Sequence, residues 1–170
     1  MYLRKLQQKD APLMLEWMHD SSVVKDLQTN FAKKTLEDCE AFIGNSQIDT
    51  GNLHLAIADE NDEYMGTVSL KHIQGTSAEF GITIRSCAMG RGYSKWAMEE
   101  IFRQGAEKLS LEKIYWCVSP LNERALRFYD KNGYQRIDAP EKSIASMLVK
   151  EAIYTGEQIN NYIWYQMKIK

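Results

Sequence analysis

Met89-Gly90-Arg91-Gly92-Tyr93-Ser94 joins the strand-like run Ala78–Ile84 to a segment in which Met98, Ile101, Phe102, Gly105 and Leu109 recur at helical spacing. Glycines let backbone N–H groups turn inward and come close to a ligand. A helix that starts there adds its unpaired donors and the positive end of its dipole, which together make a cradle for phosphate. The turn is not a Walker loop, because it lacks the GK[ST] ending. It is not GxGxxG either, because the third glycine is missing. A GxG before a helix is equally the mark of a plain tight turn.

C-terminal to this turn, Lys113 to Val118 reads as a compact strand and Leu121 to Lys131 as a helix stopped by Asn132-Gly133. Tyr134 to Ile137 begins another strand, Pro140 to Ala152 fits a helix, and Tyr162 to Ile169 alternates as a final strand. On the N-terminal side, Leu53 to Ala58, the charged turn Asp59-Glu60-Asn61-Asp62-Glu63, and Tyr64 to Ile73 form a hairpin. Gly75-Thr76 turns the chain into Ala78–Ile84, which extends the hairpin to an antiparallel meander. Tyr2 to Leu6 is a short strand, Asp10 is placed to cap a helix with Pro12 in its first turn, and Thr35-Leu36-Glu37-Asp38 has the capping-box layout of a further helix. The class is α/β: a mixed, mostly antiparallel central sheet with flanking helices.

Asn122, Ala125 and Tyr129 lie at i, i+3 and i+7 of the helix near the C-terminal stop. Two turns put them on one face spanning roughly 10 Å. A small residue between two polar ones leaves a groove for an extended chain, the alternative being Asn122 as a helix cap and Tyr129 as a core residue.

The 170 residues match one ordinary domain, with 44% hydrophobic and 26% charged residues. Lys+Arg 21 against Asp+Glu 23 leaves a formal charge of -2. That balance excludes a chain-wide basic surface, and with it a nucleic-acid partner. No stretch approaches the apolar length of a spanning helix, so no membrane role is expected. Cys39, Cys87 and Cys117 are odd in number and far apart, and His19, His54 and His72 form no HxxxH pattern. Neither a disulfide framework nor a metal site is expected, and reduced thiols point to the cytoplasm. Aromatic residues reach 11%, with 4 Trp and 9 Tyr. They suit both a core and the wall of a cleft.

The order Ala78-Glu79-Phe80-Gly81-Ile82, then Gly90-Arg91-Gly92-Tyr93-Ser94, then Asn122-Glu123-Arg124-Ala125-Leu126-Arg127-Phe128-Tyr129-Asp130-Lys131-Asn132-Gly133-Tyr134 resembles the GNAT acetyltransferases. Glu16-Trp17 and the Thr35-to-Phe42 helix resemble the branch that holds ribosomal-protein N-terminal and nucleotide-amino-sugar acetyltransferases. In the family's Q/R-x-x-G-x-G/A motif the aligned residues are Met89, Gly92 and Ser94, and only the central glycine matches strictly. The resemblance implies one acetyltransferase domain over residues 1–170 with a splayed strand pair. It also implies acetyl-CoA as the acyl donor and an amine-bearing acceptor, and leaves a homodimer open.

By the same resemblance, Ile82, Thr83 and Ile84 would pair with the pantetheine arm, and Gly90, Arg91, Gly92, Tyr93 and Ser94 would hold the pyrophosphate. Asn122 would contact the pantetheine and Tyr129 would face the thioester sulfur. The chemistry implied is direct attack of a neutral amine, with no acyl-enzyme. Tyr129 is then the candidate general acid for the departing thiolate. Glu79, on one strand face with Gly81 and Thr83, is the candidate base, against the alternative of a solvated or salt-bridged carboxylate. Cys117 lacks a nearby histidine, which argues against a nucleophilic role. The acceptor expected is a small amine, with a nucleotide-linked amino sugar favoured. The alternatives are a protein N-terminus and, from another class, a catalytically silent acyl-CoA-binding sensor.

Overall fold

The computed structural model describes residues 1–169. Seven strands form one sheet: β1 (Tyr2–Lys5), β2 (Leu53–Ala58), β3 (Tyr64–Gln74), β4 (Ser77–Ile84), β5 (Lys113–Val118), β6 (Gln135–Ile137) and β7 (Ile163–Lys168). Their spatial order is β1-β2-β3-β4-β5-β7-β6. All neighbouring pairs are antiparallel except β4 and β5, which run parallel across the long crossover that the glycine turn begins.

The helices are α1 (Ala11–Met18), α2 (Ser21–Val24), α3 (Leu36–Ser46), α4 (Tyr93–Leu109), α5 (Glu123–Lys131), α6 (Lys142–Lys150) and α7 (Gly156–Asn161). Alternation along the strands sorts the side chains onto two faces. Phe80 and Trp116 point to the face where α4 packs Ala97, Met98, Ile101 and Phe102. Each such buried side chain stabilises the fold by roughly 1.5–3 kcal/mol. On the other face, α1 and α3 cover one half of the sheet through Met14, Trp17, Cys39 and Ile43. Beneath α6 and α7, Tyr115, Ile144, Leu148 and Trp164 cover the other half. These two clusters are separate, and the gap between them lies over the β4–β5 junction.

Three local expectations are corrected. Asp10 does not cap α1. Its carboxylate accepts from Gln7 N and from the Arg4 guanidinium at 2.7 and 2.8 Å, a charge-assisted pair stronger than a neutral cap. Leu109 ends α4 at the surface rather than in the core. The helix expected from Leu121 starts at Glu123 because Asn122 is its N-cap, accepting from Ala125 N at 3.1 Å. No helix among the described residues is long and apolar enough to cross a membrane.

Candidate active site

β4 and β5 are hydrogen-bonded only through Ser77↔Lys113, Ala78↔Ile114 and Glu79↔Tyr115. Beyond that point the strands part. Among the described residues, the edge of β4 from Phe80 to Ile84 that faces β5 has no ladder partner, so its backbone groups are open to an extended ligand. The splay therefore runs where the resemblance puts it, between the strand ending at Ile84 and the strand ending at Val118.

At the wide end, Gly90 and Gly92 hold φ of +73° and +84°. A Cβ at either would meet nothing within 4 Å. The demand for glycine is therefore conformational, and an L side chain there would cost about 1 kcal/mol or more. Gly92 is the N-cap of α4, no side chain caps that helix, and its first turn carries no acidic residue. Its leading N–H groups and positive dipole end are left facing the splay.

A cleft of about 220 Å³ opens beside this turn, lined by Ile82, Thr83, Ile84, Gly90, Ser94, Asn122 and Tyr129 among others. Seven of the residues expected to hold the donor thus come together. Arg91, Gly92 and Tyr93 do not line it: Gly92 sits at the N-cap of α4, Tyr93 is buried in the α4 core, and the exposed Arg91 guanidinium lies over its ring at 5.4 Å. Met89, the departure from the family motif, lines the cleft and takes a contact from Arg124 Nη1 at 3.2 Å. Asn122 is both helix cap and cleft wall, so the two readings of it are compatible.

Tyr129 is 7% exposed and packs against Trp116, Phe128, Tyr134 and Tyr165 with centroids 5.1 to 6.0 Å away. It is a core residue that also borders two cavities. Its hydroxyl has no hydrogen-bond partner among the described residues. Burial, helped by Tyr134 and Tyr165, raises its phenol well above the ordinary tyrosine range.

The second cavity, about 280 Å³, shares Ile82, Thr83, Asn122, Ala125 and Tyr129 with the first and adds Glu79, Gly81, Lys71, Cys117 and Tyr154. Glu79 is only 2% exposed. Its Oε1 accepts from Tyr154 Oη at 2.5 Å and from Lys71 Nζ at 3.3 Å, and its Oε2 accepts from His72 Nδ1 at 2.7 Å. Burial alone would raise this carboxyl, but His72, Lys71 and Tyr154 outweigh it and hold the group below the usual carboxylate range. Glu79 is thus not the solvated carboxylate of the alternative reading but its salt-bridged form, buried and lining the splay.

Sequence reasoning missed the three donors around it. Lys71 had a usable signal, since it stands directly opposite Glu79 in the β3–β4 register. Tyr154 had none, because only the tertiary fold brings the loop after α6 to β4. For Cys117, burial pushes the thiol up to about 12, which leaves almost no thiolate near neutral pH.

A third cavity, about 430 Å³, continues from the second through Phe31, Lys71, Gly81, Ile82 and Thr83. Its walls carry Trp17, Phe42, His54, Lys34 and Asp38. Burial lowers the His54 imidazole, whose Nδ1 lies 2.8 Å from Ser69 Oγ. Asp38 is committed to capping α3 through Thr35. Among the described residues no group of three or more His, Cys, Asp or Glu is placed to hold a metal ion.

The model of the acetyltransferase (GNAT) domain matches residues 1–135. The uncharacterized N-acetyltransferase p20 of Bacillus licheniformis is 24% identical over 139 residues, 79% of this chain and 78% of that protein. Among solved structures, a spermidine N-acetyltransferase from Vibrio cholerae in complex with CoA and spermine superposes with a TM-score of 0.76 at 18% identity, covering 98% of this chain and 94% of that one. A dodecameric structure of spermidine N-acetyltransferase from the same organism superposes with a TM-score of 0.70 at 19% identity, over 99% and 93% of the two chains. Seven strands in this order, a splay opened after Glu79 and a glycine turn at the start of α4 accompany a family match over most of the sequence. The chain belongs to the GNAT acetyltransferases and is an N-acetyltransferase.

Proposed function

We propose that this chain, as one domain over residues 1–170, transfers the acetyl group of acetyl-CoA to the primary amine of a small molecule by direct attack. One observation carries this. Tyr129 borders both the cleft beside the glycine turn and the cavity that contains Glu79, so donor and acceptor spaces meet at its ring. The thioester would lie along the open edge of β4, with its phosphates at Gly90–Ser94 and its pantetheine against Asn122 and Ala125.

The acceptor enters from the third cavity as an ammonium ion and gives one proton to Glu79, directly or through water. The neutral nitrogen attacks the thioester carbon, the C–S bond breaks, and Tyr129 donates to the departing sulfur. The nitrogen's second proton restores the phenol, so each turnover releases one proton in net. Positioning supplies much of the acceleration.

Aromatic walls at Trp17, Phe31 and Phe42, with Lys34 beside them, support an acceptor with a flat or anionic portion, such as a nucleotide-linked amino sugar. A polyamine is the second reading. It is favoured by Asp26, which lines the Glu79 cavity and enters no ion pair among the described residues. Incubation with acetyl-CoA and a panel of a nucleotide-linked amino sugar, spermidine and an unblocked peptide decides between them by release of free CoA. Turnover of the sugar is the expected result. Turnover of peptide alone overturns the small-molecule reading, and CoA binding without turnover of any acceptor points to the sensor module.

A further inference from the structure

The Glu79 carboxylate has two sides. Oε1 meets Tyr154 and Lys71, both of which line the acceptor cavity, whereas among the described residues Oε2 meets only His72. His72 comes from the outer side, with its side chain 23% exposed. Its backbone is unusual. At φ +49° it occupies the left-handed region in the middle of a strand, where the β3–β4 register slips between Lys71 and Gln74. L side chains stay there only when their surroundings enforce it, and such residues gather at functional sites. Asn52 Oδ1 secures the turn by accepting from His72 N at 2.8 Å. Regular alternation would send residue 72 to the face opposite Lys71. The slip brings both side chains to the same carboxylate.

We propose that His72 is a positioning residue for the transfer: its imidazole pins Oε2 so that Oε1 faces the amine. This rests on Glu79 acting as the base. The charged and titratable groups around the pair come from several elements: Lys71 on β3, Tyr154 after α6, His54 on β2 with Asp49 ahead of it, and Cys117 on β5. Burial holds the Tyr154 phenol protonated through the neutral range. Held at Oε2 from the outer side, the carboxylate keeps Oε1 at the cavity wall beside Tyr154 and Lys71.

The test compares His72→Asn, whose amide donor replaces Nδ1–H, with His72→Ala and Glu79→Gln. Turnover is followed with spermidine and with a nucleotide-linked amino sugar. His72→Asn is expected to keep kcat within about threefold, whereas His72→Ala drops about tenfold or more in kcat with KM changed by less than about twofold. In proton NMR, a downfield imidazole N–H signal should be present in the unmodified protein and absent from both His72 variants and Glu79→Gln. An unmodified kcat in His72→Ala overturns the proposal. Equal losses in the Asn and Ala variants also overturn it, leaving His72 a structural contact. If Glu79→Gln keeps kcat within about twofold, the base assignment itself has failed. If neither amine is turned over, absence of the NMR signal overturns the proposal and its presence upholds the contact.

Discussion

Tyr129→Phe separates chemistry from folding at this site. The phenylalanine ring keeps the four aromatic neighbours at 5.1 to 6.0 Å, and the deleted hydroxyl makes no hydrogen bond among the described residues. No hydrogen bond worth about 0.5–1.5 kcal/mol is therefore lost. The melting temperature should stay within about 2 °C of the unmodified protein, since 1 kcal/mol moves a chain of this size by about 2–4 °C. The effect on rate follows from proton affinities. A phenol near 10 facing a thiol near 8.5 leaves full proton transfer about 2 kcal/mol uphill. Burial raises Tyr129 further and widens that gap.

Tyr129 therefore acts first by donating a hydrogen bond to the sulfur as charge develops, and passes its proton on only as the nitrogen's second proton replaces it. Losing a preorganised donor to a developing anion costs about 2.7–4 kcal/mol, a fall in kcat of about 10²–10³-fold. A thioester sulfur is a poor acceptor before bond breaking, so CoA affinity should change by less than about twofold, because the interaction belongs to the transition state. Thiol release at saturating acetyl-CoA gives kcat, and calorimetry gives the CoA affinity. Equal losses in both, or an unchanged kcat, refute the assignment.

Three further outcomes are expected. A carboxyl held below its unfolded value stabilises the fold above about pH 4.3 and loses that contribution as pH falls through its folded value. Glu79 is such a group. Glu79→Gln should therefore flatten the acid limb of a urea-midpoint-versus-pH curve while costing about 1–3 kcal/mol at pH 7, because its amide strands a donor. Gly92→Ala should lower stability by about 1–2 kcal/mol in chemical denaturation, since Gly92 holds φ +84°. With its thiol pushed up to about 12, Cys117 should resist iodoacetamide at pH 7.5 while the exposed Cys87 reacts, as peptide mass spectrometry would show. Cys117→Ala should keep kcat within about twofold, and an acetylated Cys117 peptide would contradict direct transfer.

Elements with strong periodicity or clear punctuation could be read from the sequence: the meander, α4, and the strand–helix–stop unit ending at Gly133. One-turn elements were not. α2 holds only Ser21–Val24, and α7 offers few apolar residues, although Thr155 and Gln158 form a capping box that marks its start. Asp10 misled because a cap pattern is local, while its actual partner, the Arg4 guanidinium, lies on a strand. In the turn before α4, Gly90 and Ser94 line the cleft. Tyr93 does not, because one turn of helix is enough to aim a side chain into the core. Around Glu79 the sequence showed a carboxylate on a strand and, of its partners, only Lys71 opposite it in the hairpin register. His72 reaches it through a left-handed bulge that strand alternation forbids, and Tyr154 through a loop 75 residues away.

The central claim is that acyl donor and amine meet at Tyr129 inside the β4–β5 splay. A structure of the complex with CoA tests it most directly. The account predicts the pantetheine along Ile82–Ile84, the pyrophosphate at Gly90–Ser94, and the thiol sulfur within hydrogen-bonding reach of the Tyr129 hydroxyl on the side open to Glu79. CoA bound outside the splay, or with its sulfur turned away from Tyr129, would contradict it.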